Sequence, residues 1–109
     1  MNEARLYLLQ RLSAMLLAPL VLAHLALIVY AVRGGLSAAE ILSRTQGSLF
    51  WALFYGLFVV AAAVHAPIGL RNVLREWTPW HGQSLDWAML GFAGLLAVLG
   101  LRAVAAVVL

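Results

Sequence analysis

The stretch TQGSLFWALFYGLFVVAAAVHAPIGL, residues 45–70, carries no charged side chain over 26 positions. An α-helix needs roughly 20 apolar residues to cross a hydrocarbon core of about 30 Å, so this run reads as a membrane-spanning helix. A histidine at 65 and a proline at 67 interrupt an otherwise lipid-soluble segment. Each carries a cost that something else in the protein must offset. A lipid-facing imidazole wants a partner, and a proline leaves the carbonyl four residues earlier without its amide.

Working outward, Leu12–Val32 is also free of charge, as is Trp87–Leu101, which continues past Arg102 to Leu109. Arg102 then falls near an interface that its long side chain can reach. These runs predict an all-α integral membrane protein with three transmembrane helices, over about 12–32, 47–71 and 86–108. They form a single membrane domain over residues 1–109. The first run is longer than the 7–15 apolar residues, roughly, of a cleavable signal, so it is expected to stay as a span. The short connection RGGLSAAEILSRTQGS, residues 33–48, predicts a helical turn over Ser37 to Leu42.

Hydrophobic residues make up 65% of the 109, which leaves too little polar surface for a water-soluble domain of this size. Cysteine is absent, which excludes disulfides, iron–sulfur ligation and thiolate chemistry within the chain. The net charge of +3 comes from seven arginines scattered singly, a pattern of membrane topology and not a nucleic-acid footprint. Arg5, Arg11, Arg71 and Arg75 fall on one side of the predicted spans, against Arg33 and Arg44 on the other, which puts the N-terminus in the cytoplasm. Tyr30, Trp51, Tyr55, Trp77, Trp80 and Trp87 stand near span ends, where interfacial aromatics belong.

His24 and His65 are the histidines within the spans. Ala61 and Gly69, one turn to either side of His65, leave room for a close helix or a flat cofactor. Neutral imidazole is a common axial ligand for haem iron; the plain alternative is a hydrogen bond to a neighbouring helix. Counted at 1.5 Å per residue, His65 lies ~9 Å from Arg71, whereas His24 lies ~20 Å from Arg11 on the same side. Rings at such different depths are not expected to share an iron. Each would pair with a histidine of another chain, giving one haem b or two stacked ones, with Arg11 and Arg71 available to the propionates.

With these residues in place, HAPIGLRNVLREW, residues 65–77, resembles the second-span signature of the membrane-anchor (cytochrome b) subunits of succinate dehydrogenase and fumarate reductase. His65, Gly69 and Arg71 match its haem-ligating histidine, glycine and arginine. Arg11 and Ser13 stand where that family's first span carries the arginine and serine of an HRxSG motif, with Gln10 in place of the histidine and Ala14 in place of the glycine. His24 is similar in position to the first-span ligand of two-haem anchors. The resemblance implies a bundle assembled with a second anchor chain, identical or homologous. That bundle would hold a flavoprotein and an iron–sulfur subunit on a bacterial inner membrane, in the tricarboxylic acid cycle or fumarate respiration. It also implies quinone as substrate, near Arg11, Ser13, Glu76 and Trp77. Trp77 stands where some anchors carry a tyrosine, but an indole can only donate.

Two other readings fit the residues: a cofactor-free structural anchor or assembly subunit whose histidines bridge helices, and a small proton-conducting or transport bundle. No nucleotide-binding glycine pattern or nucleophile–base pair suggests a catalyst acting alone. His81 reads as a loop residue between Pro79 and Gly82, Asp86 as an N-cap or first-turn acid of the third span, and Gly91 and Gly94 as close-packing positions.

Overall fold

The computed structural model describes residues 2–109 and contains four helices: α1 (Glu3–Gly34), α2 (Ala38–Thr45), α3 (Leu49–Trp77) and α4 (Gln83–Val108). Three of them, α1, α3 and α4, are long and apolar enough to cross a membrane. The chain is thus an all-helical membrane bundle. Each long helix extends beyond its charge-free run, because helical hydrogen bonding continues into the polar residues at the interface: α1 gains two turns before Leu12, and α3 runs on to Trp77.

Polar side chains set the starts. The Asn2 side-chain oxygen Oδ1 accepts from the amides of Ala4 (2.9 Å) and Arg5 (3.2 Å), and the Ser48 hydroxyl accepts from the amide of Trp51 (3.2 Å). Each satisfies amides that have no partner within the first turn. The connection from α1 folds into a complete short helix, longer than the turn expected over Ser37 to Leu42. Ser37 accepts from the Glu40 amide (3.2 Å) while donating to the Glu40 carboxylate (2.8 Å). That carboxylate lies over Gly35, where φ is +113° and any Cβ would collide with it.

The central helix is α3, which packs against α1 on one side and α4 on the other, while α2 caps the end of α4. On α1 the less exposed residues, with Ala23 beside them, are Leu6, Gln10, Ser13, Leu17, Leu20, His24, Leu27 and Ala31. Their alternating steps of four and three mark a seam of the coiled-coil kind along one side of the helix. Gln10, Ser13 and His24 therefore lie on the side turned towards α3. Against α4, Gly100 lies so close to Val59 that a Cβ would come within 2.5 Å of a methyl group.

Proline 67 is buried within α3, and the helix continues through it. The Ala63 carbonyl loses the amide that residue 67 would otherwise supply, a loss that membrane helices tolerate when they are packed against neighbours. At the far end, α4 finishes with carbonyls that have no helical partner, and the α2–α3 connection supplies donors. Thr45 Oγ1 donates to Val107 (2.5 Å), the Gly47 amide to Val108 (2.7 Å) and Gln46 Nε2 to Leu109 (3.1 Å). Only 6% of the most apolar window of α1 is buried within the chain, so most of its apolar surface is left to lipid or to another subunit.

Candidate functional site

The two intramembrane histidines lie on the same α1–α3 seam but in different surroundings. His65, half-buried on α3, meets α1 through Ser13: Nδ1 is 3.3 Å from Ser13 Oγ. Ser13 is only 7% exposed, and its hydroxyl also donates to the Gln10 carbonyl one turn back, at 3.1 Å. No described residue is hydrogen-bonded to His65 Nε2.

Gln10 reaches across to Gly69, where a Cβ would stand 3.2 Å from its Nε2. Its amide oxygen is buried and has no hydrogen-bond partner among the described residues. Leaving such an acceptor unmet in a low-dielectric interior costs on the order of 1–3 kcal/mol, which singles it out among the polar atoms here.

Towards the same end, Arg71 is 5% exposed and fully engaged. Its Nη2 and Nη1 donate to the two carboxylate oxygens of Glu3 (2.7 and 3.3 Å), and its Nε donates to Asp86 (2.7 Å). Arg75 adds a bond to Glu3 at 3.0 Å. One guanidinium thus ties α3 to the first turns of both α1 and α4, a use suited to its planar fork of donors. Asp86 occupies the first turn of α4, as expected from the sequence. Glu3 received no role from the sequence. The available signal was its sign: it is an acid expected on the same side of the membrane as Arg71 and Arg75.

Arg11 lies on the exposed side of α1, 3.3 Å from the Tyr7 hydroxyl and over the Tyr7 ring. Glu76 and Trp77 are exposed as well, Trp77 by 83%. Thus the structure brings Ser13 to His65, holds Arg71 within an ion-pair cluster, and leaves Arg11, Glu76 and Trp77 facing away from the chain's own interior. His81 is an exposed loop residue, its Nδ1 2.7 Å from the Pro79 carbonyl.

Nearer the Thr45 end, His24 packs at 5.1 Å, ring to ring, against Phe58. From the Ser13 contact to the His24 contact is 11 residues along α1 and 7 along α3, a separation of ~10–16 Å in depth. His24 borders two apolar cavities. One, of about 290 Å³, lies between it and Tyr55, Phe58, Val59, Gly100 and Val104; the other, of about 170 Å³, extends towards Tyr30, Arg44 and Trp51. No group of three or more His, Cys, Asp or Glu is placed to hold a metal ion among the described residues. An axial haem ligand needs only one imidazole per chain, so the relevant donors here are single histidines.

These features define an integral membrane protein whose apolar helices enclose a few polar groups and leave their outer faces to lipid or to another subunit. Residues 2–109 match the family model of the succinate dehydrogenase/fumarate reductase transmembrane subunit, and the chain belongs to that family. No curated protein and no solved structure matches the chain. Membership implies a complex with catalytic subunits.

Proposed function

We propose that the chain is the haem b-binding, quinone-facing anchor of a succinate dehydrogenase or fumarate reductase type complex. It assembles with a second anchor chain and helps electrons pass between the iron–sulfur subunit and membrane quinone. The observation that carries the reading is His65: an imidazole within a membrane-spanning helix, held by one nitrogen and with the other making no hydrogen bond among the described residues. The flavoprotein and iron–sulfur partners would carry the dicarboxylate chemistry, which nothing in this sequence can perform.

The residues present fit a haem placed against the chain's outer surface. The α1–α3 seam is closed by direct contact at Ser13 and His65, so a macrocycle has no place within it. It would lie between His65 and a histidine of the second anchor chain, while Gly69 leaves room for the Gln10 side chain on the α1 side. When bound, haem supplies one-electron redox chemistry. The Gln10 amide oxygen offers an unmet acceptor for a protonated propionate, a hydroquinone hydroxyl or an ordered water. Arg11, exposed beside Tyr7, is the sequence candidate placed to meet a propionate or a quinone carbonyl. Arg71, a sequence candidate for the propionates, has its charge balanced by Glu3 and Asp86 and clamps the helices. Ser13, Glu76 and Trp77 complete the polar groups on this side, with Glu76 and Trp77 turned towards the quinone and the partner subunit. By the arginine distribution, this end faces the cytoplasm.

A second haem at its own depth is the ligand use of His24 that the resemblance implies. The cavity beside it and the Phe58 ring against it favour a different use, as an apolar packing position. The same Ser13–His65 bond is also what a cofactor-free anchor would use to join two helices.

A pyridine haemochrome assay on the purified complex, with His65→Ala and His24→Ala beside the parent, separates these readings. Two haem-binding sites predict loss of one equivalent in each variant. Loss with His65→Ala alone makes His24 a packing residue, and a haem-free parent sinks the cytochrome reading in favour of a structural anchor.

A further inference from the structure

We propose that Ser13 is the positioning residue that sets the tautomer of His65, holding its proton on Nδ1 so that Nε2 is left as the metal-binding nitrogen. The proposal rests on the haem reading of His65 for its purpose, but its geometry stands on the seam itself.

A serine hydroxyl has one proton and two lone pairs. Here the proton is directed to the Gln10 carbonyl at 3.1 Å, an atom that can only accept. Ser13 Oγ is then left as an acceptor at 3.3 Å from His65 Nδ1. Neutral imidazole carries one N–H, and an acceptor facing Nδ1 draws that N–H to it. Nε2 keeps its lone pair, in the form that binds a metal.

The setting strengthens the choice. Ser13 is nearly inaccessible, so no water competes for either nitrogen from that side, and breaking the bond would leave a buried polar atom unmet. Ser13 also lies on the α1 seam between Gln10 and Leu17, where packing against α3 fixes its position. A ligand histidine whose other nitrogen donates to an oxygen is oriented and made more basic, and loss of such a partner typically weakens metal affinity by ~10–100-fold. Ser13 thereby acts on the metal through His65, without touching it.

The test uses the full chain and the full complex side by side. In the haem-free full chain in lipid nanodiscs, with ¹⁵N-labelled histidine, the His65 resonances are assigned by their disappearance in His65→Ala. The parent is expected to show the proton on Nδ1; Ser13→Thr, which keeps the hydroxyl, retains it, and Ser13→Ala loses the preference. In the assembled complex, Ser13→Ala is expected to bind haem ~10–100-fold more weakly and to raise its midpoint potential, with Ser13→Thr restoring both. A parent ring protonated on Nε2, or a tautomer and potential unmoved by Ser13→Ala, overturns the proposal. A complex in which no haem depends on His65 removes the ligand role and the haem reading together. The nanodisc measurement then still decides the tautomer, so the two failures are told apart.

Discussion

The two halves of the bundle solve the same problem, a histidine in lipid, in opposite ways. In the half that holds His65, polar groups answer one another: Ser13 meets the imidazole, Gln10 meets Ser13, and Arg71 is closed over by Glu3 and Asp86. In the half that holds His24, the ring lies against Phe58 and beside apolar cavities, and the polar bonds occur only at the membrane edge, where the α2–α3 connection caps α4. The difference teaches that burial in lipid does not by itself make a site. What makes His65 the stronger candidate is a directional bond that fixes one nitrogen, together with an unpaired acceptor close by.

That contrast can be broken by substitution. The largest stability effect is expected from Arg71→Ala, which removes the cation that Glu3 and Asp86 share, although Arg75 still reaches Glu3. Breaking a buried pair costs about 3–5 kcal/mol, and the low end, about 3 kcal/mol, is expected because Glu3 is more than half exposed. An unfolding midpoint measured by detergent titration of the assembled subunit checks it. A loss no larger than that of a single surface bond would show that the Arg71 end is not the rigid half.

Gly100→Ala probes the other half, where α3 and α4 meet closely. Its new methyl would stand 2.5 and 2.9 Å from the Val59 methyls, a β-branched side chain with little freedom to turn aside. Overpacking of this kind costs roughly 1–3 kcal/mol. Gly100→Ala combined with Val59→Ala should recover most of the loss. If it does not, the helices are not in contact there.

The smallest effect is expected from Thr45→Val, which keeps the shape and removes the donor to Val107. The cost is about 1 kcal/mol, the net worth of one hydrogen bond. Placed beside Arg71→Ala in the same titration, it measures the disparity between a capped helix end and a clamped one.

Much of this arrangement was legible in the sequence because lipid imposes a simple rule. Backbone polar groups must be satisfied within the segment, so a long charge-free run becomes a helix whatever its neighbours are, and the three long helices appear where such runs occur. His24 and His65 were legible for the same reason, since polar atoms are rare in such runs. The helix ends were less so, because Glu3 to Arg11 and Arg71 to Trp77 are polar enough to end a hydropathy run while still continuing a helix.

The partnerships could not be read from the chain. Arg71 and Glu3 are 68 residues apart, Ser13 and His65 are 52 apart, and no periodicity links them. Ser13 stood out in the sequence only through its place in a motif, with a quinone or a propionate as its suggested contact. The seam of α1 against α3 also turns it towards the imidazole. The sequence by itself determined the solvent, the number of spans and which polar residues must lie within them, because those follow from composition counted along a single helix. Only the packing of α1 and α4 on α3 decided which polar atom meets which. Hydrogen bonds and ion pairs act over about 3 Å, and residues far apart in the chain come that close only when helices pack.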